Sequence, residues 1–429
     1  MFARFRAVNP VDNPSLSTAD PTTKPRGMFS ALRNRNFQLY FGGQLVSTSG
    51  TWMQTVAQSA LVFALTKSEL WLGIVACAAG LPSLLLSPFA GVIVERVRRQ
   101  HILIITQTSQ MLLAFILSAL VFAQAVQVWH IVILALLLGV TNAIDAPARQ
   151  AFVIDMVGRE DLSSGIQLNS LMFNVSRIIG PSLAGIALAT VGAGWCFFLN
   201  GASFLAVIIS LFVMRVVVEE QRISSISPLI QLRDGLRFAR SHSTIAPLLI
   251  LATSASLFAS NAATLLPAFA GTVLNSPEQG YAAVLTANGI GAVLAASLVS
   301  TLGRRFGRGR IVTIMSMVAC LALGLLAITG NSRHISPSLL FALVYGFSLI
   351  LQFITMNTLL QTEVPNEFRG RVMSLYTLTF FGIAPFGALF LGLAAQVIGT
   401  PVALIGLAIL GGVANVLILS RAPALRRLP

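Results

Sequence analysis

Apolar runs of about 20 residues recur from one end of the chain to the other, and each is long enough to cross ~30 Å of hydrocarbon. Twelve stretches can be marked: 37–64, 70–94, 101–123, 128–156, 163–190, 195–217, 245–271, 280–301, 311–330, 336–362, 369–396 and 400–420. Several exceed the bilayer thickness and are expected to tilt or project beyond it. Charged residues make up only 10% of the 429 residues, against roughly 25% in a soluble domain. Such a chain cannot hide its apolar surface in one water-soluble core. In lipid its backbone must close its own hydrogen bonds, and runs of this length do so as helices. The expected class is an all-α polytopic membrane protein with twelve transmembrane helices.

The basic residues give the direction of threading. With the N-terminus in the cytoplasm, 25 of the 28 Lys and Arg fall on that side. They include Arg33 and Arg35, the turn Arg96, Arg98 and Arg99, then Arg149, Arg159, Arg304, Arg305, Arg308, Arg310, Arg369, Arg371 and Arg421. Lys67 and Arg333 alone fall on the other side, and Arg177 lies inside a span. This asymmetry follows the positive-inside rule, places both termini in the cytoplasm and requires an even number of spans. The net charge of +14 is therefore read as membrane topology, and no nucleic-acid partner is expected. Residues 1–36 lack the apolar core of a cleavable signal, and a Pro-, Ser-, Thr- and Asp-rich composition makes a disordered cytosolic tail the expectation. Residues 421–429 are expected to form a second, short cytosolic tail. Cys77, Cys196 and Cys320 lie in apolar segments without CxxC spacing, which indicates neither a disulfide framework nor a zinc site.

A weak internal repeat divides the chain. Arg96–Arg99 lines up with Arg305–Arg308, Asp155 with Glu363, and Pro181 with Pro385. Two six-span halves, 37–217 and 245–420, are implied, joined by a cytosolic loop over 218–244. Within that loop Pro228 to Arg240 alternates apolar and charged residues at helical spacing, as an amphipathic helix on the inner leaflet would.

Gly91, Glu95, Arg96, Arg98 and Arg99 after the second span resemble the G-x3-D-R-x-G-R-[KR] turn of the major facilitator superfamily, with Glu95 for Asp and Arg98 at the usual Gly. The run APARQAFVIDMVGREDLSSGIQLNS with the later FNVSRIIGPSLAG resembles the branch of enterobactin-exporter-like proteins and the third group of drug:proton antiporters. The resemblance runs from Phe37 to Ser420. It implies two pseudo-symmetric six-helix bundles in a bacterial inner membrane, with spans 1, 4, 7 and 10 around a central cavity. It also implies export of a small molecule, a drug-like compound or a siderophore, coupled to the proton gradient and to no bound cofactor. The partners expected are the bilayer and that substrate, and a monomer suffices.

Polar stripes fall on those four spans. Span 1 carries Gln44, Ser47, Thr51, Gln54 and Gln58, and span 4 carries Asn142, Asp145 and Arg149. Span 7 carries Ser254, Asn261 and Thr264, and span 10 carries Tyr345, Ser348, Gln352 and Thr355. A polar stripe is costly against lipid, so it faces either a cavity or other helices. Intramembrane charges are costlier still, which makes Asp145 and Arg177 the proton-coupling candidates. Counted at ~1.5 Å per residue from the cytosolic ends, they lie ~18 and ~21 Å deep, so a charge pair between spans 4 and 5 is geometrically possible, with Arg177 tuning the proton affinity of Asp145. A fixed structural pair is the alternative to a proton switch.

The Gly91–Arg99 turn, with Arg149, Asp155 and Glu363, is expected to act as a cytosolic gate. Gly180, Pro181 and Pro385 are hinge candidates, and Gly180, Pro181 and Gly185 match part of the antiporter motif of span 5. No HExxH, GxSxG or Walker sequence is present, which argues against an intramembrane enzyme and against ATP coupling within the chain. A lysophospholipid flippase and a non-transporting sensor or scaffold stand as the alternative functions.

Overall fold

Inside a bilayer every main-chain N–H and C=O must find its partner within the protein, and each apolar run of this chain does so as a helix. A computed structural model describes residues 29–214, 228–277, 279–330 and 335–428. Among them, eleven helices are long and apolar enough to cross a membrane. The twelfth span is the helix Arg35–Thr66, long enough to cross but carrying the polar stripe of span 1. The spans that follow it are 2 (Glu69–Arg96), 3 (Arg99–Phe122), 4 (Val128–Gly158), 5 (Glu160–Thr190) and 6 (Ala193–Val213). The second half holds spans 7 (Ile245–Thr272), 8 (Gln279–Phe306), 9 (Arg308–Thr329), 10 (Ser336–Glu363), 11 (Phe368–Ile398) and 12 (Thr400–Arg421). The turns rich in Arg collect at one end of the bundle, here called the basic end; the opposite one is the far end.

Three elements depart from uniform helix. Spans 4 and 5 are joined through Gly158 alone, at φ 71°, a left-handed conformation that favours glycine. The polar connection expected there is thus absorbed into the two helix ends. Span 7 passes through a π-helical stretch, Ala255–Ala259, into a 3-10 stretch, Ser260–Leu265. Span 11 is parted into Asn366–Phe381 and Ala384–Ile398, with Pro385 at the start of the second segment, where its missing N–H is tolerated.

Both expected tails are shorter than expected. Residues 1–28 lie outside the described residues, but Ser30–Arg33 forms a 3-10 turn whose Ala31 N–H donates to Ser164 Oγ at 3.0 Å. Asn34 then caps span 1 by accepting from the Asn36 N–H at 2.9 Å. At the other end Pro423–Arg427 is also a 3-10 turn, with Leu425 buried and the Leu428 carbonyl accepting from Gly309 N–H at 3.2 Å. Apolar Ala31 and Leu425 bury there, which a freely solvated tail would forgo.

The expected amphipathic helix is observed as Pro228–Ser241, the linker helix. It packs on the basic end of span 11, where Phe238 stacks on Phe368 at 4.2 Å between ring centroids and Asp234 pairs with Arg371 at 3.7 Å.

The halves meet through spans 5 and 8 and through spans 2 and 11. The hydrogen bonds between them include Ser68 to Gln396 at 2.6 Å, Thr400 to Glu69 at 3.0 Å, Ser182 with Thr286 at 3.0 Å, and Arg177 to Asn288 at 3.2 Å. The first two lie at the far end, the third one turn or two below it, and Arg177 deepest. Close packing follows the same course: a Cβ on Gly73 would meet the Ala388 carbonyl at 2.7 Å.

Within the second half, spans 8 and 10 touch backbone to backbone. A Cβ on Gly346 would lie 2.0 Å from the Asn288 carbonyl oxygen. Gly346→Val is therefore expected to be among the most damaging single changes, since a carbonyl on a packed helix cannot step aside. Overpacking costs about 1–3 kcal/mol, and this site belongs at the upper end. The yield of folded protein and its thermal unfolding in detergent measure it.

Candidate functional site

Asp145 is 0% exposed. Its Oδ1 accepts from Thr106 Oγ1 at 2.7 Å and from Gln107 Nε2 at 3.0 Å, both on span 3. Its Oδ2 accepts from Arg149, one turn further along span 4, the spacing at which helical neighbours meet. Every partner donates, so both carboxylate oxygens act as acceptors. Tyr40 of span 1 lies within electrostatic reach of both charges.

The pairing of Asp145 with Arg177, which their equal depth allows, does not form. Depth along neighbouring helices leaves direction around each axis open, and here the two side chains point apart. Asp145 faces span 3 inside its own half, and Arg177 faces the other half. Arg149, expected at the gate, is instead the partner of Asp145.

Arg177 donates from Nη2 to Asn288 Oδ1 of span 8 at 3.2 Å. Its guanidinium lies over the ring of Trp52, 5.6 Å from the centroid, a cation–π arrangement. The backbone sets this contact: a Cβ on Gly180 would come within 2.4 Å of Trp52 Cβ, so spans 1 and 5 touch there and plant the indole beside Arg177. Tyr345 of span 10 lies within electrostatic reach of the same guanidinium. No Asp or Glu among the described residues forms an ion pair with Arg177. Trp52, Arg177, Asn288 and Tyr345 come from four spans and both halves. They sit ~14–21 Å from the far ends of those spans, counted at ~1.5 Å per residue, near the middle of the bilayer.

The polar stripes divide between the two readings offered for them. Gln54 accepts from Asn200 of span 6 at 2.7 Å, and Asn142 accepts from Gln110 of span 3 at 3.2 Å. Asn261 donates to the Ser256 and Leu257 carbonyls at 2.8 and 3.2 Å, holding the irregular turn of span 7. Tyr345 donates to the Ala259 carbonyl of that same turn. These four join helices or steady one, and none opens on a cavity through the bonds described. Gln44 is buried, whereas Thr51 is exposed and Gln58 partly so. Gln352 and Thr355 are buried, with Nε2 and Oγ1 lacking a hydrogen-bond partner among the described residues.

A family model described as transmembrane secretion effector matches residues 26–427. The chain belongs to that family. It is a major facilitator superfamily transporter of the branch that holds siderophore exporters and drug efflux pumps. It is 26% identical to the staphyloferrin A transporter of Staphylococcus aureus over 84% of this chain and 89% of that one. It is 26% identical to the multidrug efflux pump Tap of Mycolicibacterium fortuitum over 83% and 88%. It is 31% identical to an enterobactin exporter of Salmonella choleraesuis over 58% of each chain. In fold it is similar to the nucleoside transporter NupG, with a TM-score of 0.73, 12% identity, and 90% and 99% of the two chains covered.

The family's turn after span 2 is built as a brace within the first half. Arg99 reaches Asp155 at 2.6 Å and the Ala151 carbonyl at 2.8 Å, tying the start of span 3 to the end of span 4. Arg96 and Arg98 are exposed, and so is Glu363, which makes no ion pair among the described residues. The surroundings of Gly91 and the side chain of Glu95 lie outside what the structure describes. Asp155→Asn is expected to cost about 1–2 kcal/mol, the range for a hydrogen bond between charged groups that keep some solvent. Thermal unfolding in detergent reads it. Of the hinge candidates, Pro385 stands at a real break, and Gly180–Pro181 does not interrupt span 5, whose neighbour span 4 joins it at Gly158.

Four site residues escaped the stripe argument. Thr106 and Gln107 sit on span 3, outside the four spans expected to line a cavity. With Gln110 they form a polar cluster at helical spacing, a signal that was there to be found. Trp52 and Asn288 carried no signal, since an indole and one amide in apolar runs are ordinary.

Proposed function

We propose that this transporter exports a small organic molecule, a siderophore or a drug-like compound, across the bacterial plasma membrane in exchange for protons. The observation that carries this reading is Asp145, a fully buried carboxylate held by Arg149, Thr106 and Gln107. A proton taken up on Oδ2 cancels the charge and releases Arg149, while Oδ1 still accepts from Thr106 and Gln107. A change of one proton thus frees a cation one turn along span 4. The names of the relatives supply the substrate range.

Two six-helix halves that meet around a midplane site suit alternating access, in which they rock about that site. With the basic end in the cytoplasm, as the charge asymmetry indicates, the contacts between the halves close the outer side. A proton that reaches Asp145 from outside would favour one arrangement, and its loss to the cytoplasm the other.

Inside-out membrane vesicles from cells with and without the chain provide the test. Energised to pump protons inward, they are expected to accumulate enterobactin, staphyloferrin A or a drug-like dye only when the chain is present, and a protonophore should abolish the difference. Equal uptake with and without the chain removes export. Uptake that ignores the protonophore removes proton coupling.

A further inference from the structure

We infer that Arg177 is the counter-ion for the transported molecule, so that the substrate carries a carboxylate or an equivalent compact anion that docks between the halves. This deepens the proposed function and rests on it for transport, though not for binding.

The argument starts from the different surroundings of the two intramembrane charges. Asp145 has its own cation, and its surface is wholly covered. Arg177 is half-buried and has no carboxylate partner among the described residues. A guanidinium withdrawn from water without an anion is an expensive arrangement. The side chains that hold it, Asn288 and Trp52, supply one neutral acceptor and one ring face. Both orient the group and neither cancels its charge. Most of its N–H donors remain for something else, and a planar fork of donors fits a carboxylate in a bidentate manner.

Position adds to this. Arg177 makes a hydrogen bond between the halves deeper than those of Ser68, Glu69 and Ser182, where the far-end seal gives way to the basic end. Exposed Thr51 lies next to Trp52 on span 1, at the same level. Tyr345, whose hydroxyl is committed to the Ala259 carbonyl, brings span 10 and the irregular turn of span 7 to the same guanidinium. An anion on Arg177 would thus touch elements of both halves at once. It would also compete with Asn288 for the guanidinium, and the Arg177–Asn288 bond is one of the ties between the halves.

The test uses the full chain purified in detergent, with citrate as the probe and uncharged trimethyl citrate as its control, against sodium chloride at matched ionic strength. Citrate is expected to raise the thermal unfolding temperature of the native protein and to quench tryptophan emission through Trp52. The ester and chloride should do neither. Arg177→Gln should lose the response, and Arg177→Lys should keep part of it. Asn288→Asp is the variant that guards against misfolding, because it is isosteric and sets a built-in carboxylate 3.2 Å from the guanidinium. It should fold and should no longer respond to citrate.

A native protein indifferent to citrate, or an Arg177→Gln variant that responds as the native one does, overturns the assignment. So does an undiminished response in Asn288→Asp. Asp145→Asn is expected to leave the citrate response intact, which separates the two readings. Loss of proton coupling with citrate binding retained concerns Asp145 alone, and failed citrate binding with proton-driven export retained sinks only the role given to Arg177.

Discussion

Asp145→Asn is expected to reduce export driven by a pH gradient on the order of tenfold or more, while exchange of labelled for unlabelled substrate across the membrane continues. Exchange needs the halves to move but no net proton, so it reports the path without the coupling. Asparagine keeps an acceptor for Thr106 or Gln107, but it cannot carry or release the proton. The change also leaves Arg149 without its anion, and breaking one side of a buried pair costs about 3–5 kcal/mol. A loss of stability must therefore be told apart from a loss of coupling. Asp145→Asn with Arg149→Gln removes both charges together and is expected to recover much of the thermal stability while export stays uncoupled. Export by Asp145→Asn at the native rate, with the native pH dependence, would eliminate Asp145 as the proton site.

A second large effect is expected at the far end. Ser68 Oγ and Gln396 Oε1 lie 2.6 Å apart on opposite halves, beside the Thr400–Glu69 bond at 3.0 Å. Ser68→Cys with Gln396→Cys, in a background without Cys77, Cys196 and Cys320, places two thiols within the span of a short crosslinker. Linking them is expected to stop transport almost completely, and cleaving the link to restore it. Either cysteine alone should transport normally, because an exposed hydrogen bond contributes little. Transport that survives the link would mean that the far-end seal need not open, and alternating access around this interface would fall.

The fold was largely legible in the sequence, because bilayer thickness and backbone hydrogen bonding leave few options for apolar runs of this length. The span ends near Thr66, Phe122, Val213 and Thr329 follow directly from those limits. The irregular parts were less legible. Gly158 signals a turn but not that one residue suffices, and the π and 3-10 stretch of span 7 arises from packing around Asn261 and Tyr345, which no local propensity records. Charges were easy to find and hard to pair. Asp145 and Arg177 stand out against their apolar neighbours at any reading, yet partner choice depends on rotation about the helix axis. Arg149 four residues along was the nearer solution, by a rule as old as helical spacing itself. The stripes on spans 1, 4, 7 and 10 were visible for the same reason as the charges. What they face depends on neighbours such as Asn200 and Gln110 that only the folded chain brings close.

The parting of span 11 has a mechanical consequence. Its Ala384–Ile398 segment carries the close packing on span 2, while the other segment carries Phe368 and Arg371, on which the linker helix rests. A lever with its fulcrum at Gly382 and Ile383 can swing its basic arm without loosening the sealed one. A pull on the linker helix is then delivered to the Asn366–Phe381 segment and spares the packing of Ala384–Ile398 on span 2.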